Sequence, residues 1–146
     1  MNKNYIISID TPIDQTFAAF DSKEKIIKWM GAQFETKFLN SWDPNNPVGT
    51  KFTYGIKGII ELQGEVIAYE KPRVLGLGQK YKVLNGTLFY YFQPGENNST
   101  LVTCELEIAT TKTFQKLIVN SLMPLFDRLI TKQLKGLKAL VEEAKS

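Results

Sequence analysis

The sequence predicts an α+β fold: a curved antiparallel sheet of about seven strands, two short helices after the first strand, and one long C-terminal helix. Three observations carry this. A β-branched run, "NYIISID", is followed by two segments with helix-start chemistry. From residue 34 to about 109 the hydrophobic period is two and turn residues recur at short intervals. Beyond Thr111 the period becomes helical and stays so to the end.

In the first strand Tyr5, Ile7 and Ile9 share one face. "TPIDQTFAAF" then reads as a helix with Thr11 as N-cap, Pro12 at the first helical position and Asp14 in the first turn, where the helix dipole favours an acid. "DSKEKIIKWM" repeats the signature with Asp21 as cap and Glu24 three residues on, and Gly31 closes it.

The meander begins with "FETKFLNSW", where Phe34, Thr36 and Phe38 alternate with Glu35 and Lys37; "DPNNPVG" is a loop. Phe52, Tyr54 and Ile56 point one way in the next strand. Gly58 turns the chain into a strand with Leu62, Gly64, Val66 and Ala68 inward and Glu61, Gln63 and Glu65 outward; a slip of one residue would turn both acids inward. Leu75, Leu77, Gln79 and Tyr81 share the inner face of the following strand. Asn85-Gly86 predicts a tight hairpin, since both residues tolerate positive φ. Leu88, Tyr90 and Phe92 then face inward with Phe89 and Tyr91 outward, and after the loop "PGENNS" the last strand turns Val102, Cys104, Leu106 and Ile108 to the core.

In the C-terminal segment, stepping ~100° per residue from Leu122 gathers Ile118, Leu125, Phe126, Leu129, Leu137 and Leu140 in one arc, with Pro124 opposite. A proline there removes the hydrogen bond to the Asn120 carbonyl, on the side where water replaces it. The expectation is a helix bent toward the sheet with Ser121, Leu122 and Phe126 inward; the alternative is a complete break.

Composition narrows the functional classes. A chain of 146 residues fits a single domain, 1–146, and a net charge of +3 is too mild for a nucleic-acid footprint. No run approaches the ~18 apolar residues of an integral membrane segment, and the N-terminal apolar stretch is short for a signal peptide, so a cytoplasmic protein is expected. There is no histidine and one cysteine, Cys104. That removes His-based metal ligation, Ser-His-Asp and Cys-His nucleophiles, and any intrachain disulfide; no metal, cofactor or catalytic residue is assigned.

The element order and the pieces "SIDTPIDQTFAAF", Trp29, "PVGTKF", "GEVIAYEKPRVL" and "LKGLKALVEE" resemble the START-like superfamily, also called SRPBCC, typified by the birch pollen allergen helix-grip fold. The segment from Gly64 to Leu75 is also similar to its activator-of-heat-shock-ATPase-like branch. The resemblance covers nearly the whole chain. It implies a sheet gripping the long helix around a cavity for an apolar or amphipathic small molecule. It does not imply one activity, because members include carriers, hormone receptors, polyketide cyclases and cochaperones.

Under that resemblance the ligand-binding residues are expected among Trp29, Phe38, Phe52, Tyr54, Leu62, Leu77, Gln79, Tyr81, Tyr90, Phe92, Leu122, Phe126 and Gln133. For each aromatic, plain core is the competing role. Gln79 and Gln133 break apolar faces, and a buried amide without partners costs about 1 to 3 kcal/mol, so each is either a satisfied core amide or a polar anchor for a ligand. Gly136 reads as a site of close helix–sheet approach, Cys104 as a small hydrophobe, and Asp127 as a solvated residue, the one acid on this segment for which reaching a cavity is the alternative. Trp29 and Trp42 are expected to cover an end of the sheet or the cavity entrance, a sugar-stacking platform being the alternative. The function expected is non-catalytic binding or transport by a monomer or weak homodimer; the alternatives are a polyketide cyclase-like enzyme and a cochaperone-like module using the outer sheet face.

Overall fold

A computed structural model of the chain describes residues 1–30 and 35–145. The expectations for Gly31 and Phe34 lie outside the described residues. Strand β1 (Asn2–Ile9) leads into α1 (Ile13–Phe17), a 3-10 turn at Ala18–Phe20, and α2 (Lys23–Met30). Strands β2 (Glu35–Phe38), β3 (Lys51–Ile56), β4 (Ile60–Glu70), β5 (Val74–Tyr81), β6 (Leu84–Pro94) and β7 (Thr100–Ile108) follow, and α3 (Thr113–Lys145) ends the chain.

The seven strands form one antiparallel sheet in the order β1-β7-β6-β5-β4-β3-β2. Every neighbour after β2 follows by a hairpin, and β1 closes on β7, so the first and last strands of the chain meet. One face is apolar because the alternation is kept: Leu88, Tyr90 and Phe92 of β6 and Val102, Cys104, Leu106 and Ile108 of β7 are buried. That face receives α3. Glu61 and Glu65 are exposed, as the predicted register of β4 requires.

The helix starts differ from expectation. The cap of α1 is Pro12, and Thr11 makes no capping bond; instead the Thr11 carbonyl accepts from Thr16 Oγ1 at 3.2 Å and Thr100 Oγ1 at 2.6 Å, tying α1 to β7. For α2, Ser22 Oγ accepts from the Lys25 amide at 3.2 Å, one residue after the predicted Asp21 cap. Both shifts have one cause: a cap needs backbone geometry that puts its oxygen under the first free amides, which sequence spacing alone does not fix.

Two differences in the sheet are matters of register. The β5–β6 loop is Lys82-Val83, because Tyr81 pairs with Leu84, and Asn85-Gly86 lies inside the ladder opposite Lys80 and Gln79. Turning at Asn85-Gly86 would extend β5 and carry Leu84 to the outer face; in the actual register Leu84 is buried. Burying a leucine is worth ~1.5–3 kcal/mol, against ~1–2 for holding a non-glycine residue at positive φ, and Lys82 does sit at φ 52°. In β4 a bulge between Val66 and Ala68 flips the alternation, so Tyr69 rather than Ala68 reaches inward, where its ring meets Phe17 at 5.4 Å.

Helix α3 runs unbroken through Pro124, so the alternative of a complete break does not occur. Pro124 is on the exposed side, as predicted. The buried line is rolled relative to expectation: Val119, Met123, Phe126, Ile130, Gln133 and Leu137 are inside, Leu122 is half-buried, and Ser121 is exposed. Among the described residues no helix is long and apolar enough to cross a membrane.

Candidate functional site

The space between sheet and α3 holds two small cavities. The first, about 40 Å³, lies toward the β5–β6 hairpin and is lined by Leu62, Tyr81, Leu84, Leu106 and Ile108 with Phe126, Leu129 and Ile130 of α3. The second, about 30 Å³, lies under α2, walled by Trp29, Met30, Phe38, Trp42, Phe52, Leu77 and Tyr90. Tyr54, Gln79, Leu88 and Gln133 border both. A water occupies ~10–15 Å³ on this measure, so each holds a few waters at most.

The polar partition between them comes from three strands and α3. Alternation on β3, β5 and β6 points Tyr54, Gln79 and Tyr90 inward, and helical periodicity brings Gln133 down onto them. Gln133 is 2% exposed, and its Oε1 accepts a long bond from the Tyr90 hydroxyl at 3.4 Å. Burial raises the pKa of the Tyr54 and Tyr90 phenols well above the usual tyrosine value, with the Gln79 amide opposing the rise at Tyr54. Both therefore stay neutral. Beside Tyr90, Cys104 is fully buried and its thiol is pushed up to about 12, first by burial and then by the Glu105 charge. A thiol so placed is not a nucleophile near neutral pH.

Rings support the α2 side. Phe20 meets Trp29, Tyr90 and Phe92 at centroid distances of 5.4, 6.2 and 5.5 Å, and Phe17 meets Phe92 at 5.1 Å. Phe38 bridges Trp42 at 6.0 Å and Phe52 at 5.9 Å. Gly64 is bare beneath Phe52: a methyl group there would lie 2.4 Å from its ring.

Of the thirteen residues singled out from sequence, eleven border a cavity. Phe92 sits in the ring cluster behind the wall, and Leu122 lies outside both linings. Asp127, considered as an acid able to reach a cavity, turns to β1 instead: it takes bonds from Lys3 Nζ at 2.7 Å and from the Tyr5 hydroxyl. Sequence reasoning missed Leu84, Leu129, Ile130 and Met30 as lining. Leu84 was hidden by the mistaken turn, and Leu129 was assigned only to the core. Neither lining contains an Asp or Glu. Among the described residues no cluster of three His, Cys, Asp or Glu side chains is placed to hold a metal ion.

No protein family and no curated protein matches the chain by sequence. Solved structures do match by shape. Norcoclaurine synthase from Thalictrum flavum, a point mutant in complex with a transition-state analogue, superposes with a TM-score of 0.78 at 13% identity, covering 100% of this chain and 96% of that one. The Aha1 dimer from Colwellia psychrerythraea gives 0.69 at 15%, covering 100% and 99%. A protein from Arthrobacter aurescens gives 0.75 at 12%, covering 97% and 86%. At these identities the likeness is one of fold, and it agrees with the element order, the sheet topology and the seated C-terminal helix: the chain has the helix-grip fold.

Proposed function

We propose that the protein binds an apolar or amphipathic small molecule between the sheet and α3, without catalysing a reaction on it. The observation that carries this is Gln133. It is an amide on the apolar face of a helix, 2% exposed, held by one long hydrogen bond, and it borders both cavities. A residue kept only for packing would be apolar here, because a buried amide costs about 1 to 3 kcal/mol wherever its hydrogen bonds are incomplete, and the bond from Tyr90 is long. A ligand that completes its hydrogen bonds recovers that cost.

The cavities describe the closed form. Together they fall well short of the ~300–1,000 Å³ of a ligand site, so binding requires the partition of Tyr54, Gln79 and Gln133 to part and join them. The walls are otherwise mainly apolar, with Lys80 and Asn85 at the β5–β6 end, which suits a ligand with a hydrophobic body. The same-fold synthase holding a transition-state analogue is consistent with the fold enclosing small molecules. Proton-transfer chemistry on the ligand lacks support, since the carboxylates of β4 and β7 point outward and both linings are free of acids.

Native mass spectrometry of the protein purified from its own host tests this directly, paired with a thermal-shift screen of lipids and aromatic compounds. A co-purified small molecule or a Tm rise with apolar compounds is expected; no shift with any of them overturns the proposal.

A further inference from the structure

Two indole N–H groups at the α2-side cavity, Trp29 Nε1 and Trp42 Nε1, are buried and have no hydrogen-bond partner among the described residues. Both residues belong to its lining. Indole carries a donor and no acceptor. Of the polar groups found buried without partners, those at this cavity include no oxygen. Trp29 is 96% buried, being 4% exposed, and its ring is pinned against Phe20 and Tyr90, so its N–H cannot swing out to water. Buried polar groups are nearly always paired in folded proteins, and each one left bare costs free energy of the order that a bound acceptor would restore.

Charge narrows the acceptor. The lining of this cavity contains no Lys or Arg, and no Asp or Glu. A carboxylate or phosphate would enter without a counter-charge and lose its hydration to neutral donors alone. A protonated amine would enter without a carboxylate to balance its charge and would face the bare indole donors. A ketone, aldehyde, ester or lactone oxygen presents two lone pairs, carries no charge and brings no proton needing a home.

From this we infer that the α2-side cavity is a subsite for a neutral carbonyl oxygen, and that the ligand is an apolar molecule bearing such a group. The inference rests on interior ligand binding as proposed above, and adds the chemistry and orientation of the ligand. The carbonyl points at Trp29 and Trp42, and the hydrocarbon body crosses the partition toward the cavity at the β5–β6 hairpin. At about 30 Å³ the subsite fits one polar group and not a ring system.

The test compares three probes of one shape, 2-acetylnaphthalene, 2-ethylnaphthalene and 2-naphthoate, by calorimetry on the full chain. Acetylnaphthalene is expected to bind about tenfold more tightly than ethylnaphthalene, the fold-change one satisfied buried donor gives, with naphthoate weaker than the ketone. Trp29→Phe keeps an aromatic ring and removes the donor, and should bring the ketone down toward the hydrocarbon, whose binding to the same variant controls for the space the smaller ring leaves. Should Trp29→Phe fail to fold, as judged by circular dichroism, Trp42→Phe makes the same comparison at a less buried ring. Equal binding of ketone and hydrocarbon, or tighter binding of naphthoate, overturns the carbonyl subsite and leaves interior binding standing. Binding of none of the three overturns both.

Discussion

Gly136 of α3 lies directly against the backbone carbonyl of Trp29 at the end of α2: a methyl group on its α-carbon would sit 2.1 Å from that oxygen. The close approach expected of this glycine is thus between two helices and not between helix and sheet. It seats Trp29 over the cavity. Alanine is the better helix former by ~1 kcal/mol, so in an isolated helix the substitution would stabilise. Here the clash is with rigid backbone, and α2 and α3 must separate to relieve it. Gly136→Ala is expected to lower stability by about 1–3 kcal/mol, measured by urea unfolding. An unchanged or raised midpoint would show that the helices are not held at this distance.

The β5–β6 loop offers the opposite case, a stabilising change. Lys82 holds φ 52° at the first loop position while Val83 does not have positive φ. Asparagine tolerates this conformation far better than lysine. Lys82→Asn should therefore raise stability by roughly 0.5–1 kcal/mol, whereas the same substitution at exposed Lys51, in extended β3, should lower it slightly. A loss at Lys82 would mean the loop is not the observed one.

Those two sites also mark where sequence reasoning succeeds and stops. Alternation alone placed Leu88, Tyr90, Phe92, Val102 and Cys104 correctly, because an antiparallel sheet with one wet face writes its burial into every second residue. It misplaced the β5–β6 turn because the local preference of Asn85-Gly86 competes with burial of Leu84, a tertiary gain invisible to a two-residue signal. The arc on α3 was right to within one helical step, yet Val119 and Met123 replaced Leu122 inside. What sets the roll includes the bonds of Asp127 to Lys3 and Tyr5, contacts made across more than a hundred residues of chain. Gln79 and Gln133 were legible as anomalies. That they border two cavities was not, since periodicity finds buried faces and cannot find voids.

The Tyr90 and Gln133 pair predicts non-additivity. Tyr90→Phe leaves the Gln133 carbonyl bare, and Gln133→Leu leaves the Tyr90 hydroxyl bare; each single change should cost about 1–2 kcal/mol. The double variant replaces both with apolar groups and should cost less than the two single changes added together, the difference being the coupling energy. Because the bond is long, at 3.4 Å, the coupling should sit at the low end, ~0.5–1 kcal/mol. A double-mutant cycle by thermal and urea unfolding checks this. Strict additivity would show that the pair does not interact. The double variant should also lose affinity for the interior ligand while remaining folded.

Stability should fall at both ends of the pH scale, for separate reasons. At the acid end Asp127 is the relevant group: the Lys3 ammonium and the Tyr5 hydroxyl hold its carboxyl below the usual aspartate value. A depressed folded pKa contributes stability that is present above about pH 4, the unfolded value, and is lost as pH falls through the folded value. The carboxylate is 37% exposed, so this contribution is screened and below ~1 kcal/mol; Asp127→Asn should make the acid limb shallower and little else. At the alkaline end the sign reverses. The Cys104 thiol is pushed up to about 12 in the fold against ~8.5 unfolded. Its contribution is complete below about pH 8.5 and is lost as pH rises toward 12, because the unfolded chain releases the proton first. The phenols of Tyr54 and Tyr90, also raised by burial, extend the decline above about pH 10. Urea midpoints should hold from pH 7 to about pH 8 and fall from there to about pH 10.5. Cys104→Ala should start lower by ~1 kcal/mol for the small cavity it leaves and decline less steeply. The same burial predicts that a disulfide reagent at pH 8 leaves native Cys104 unmodified and titrates one thiol once urea unfolds the chain. Rapid labelling of the native protein would mean that the sheet and α3 part often enough to expose the core, a motion that ligand admission to the two cavities also requires.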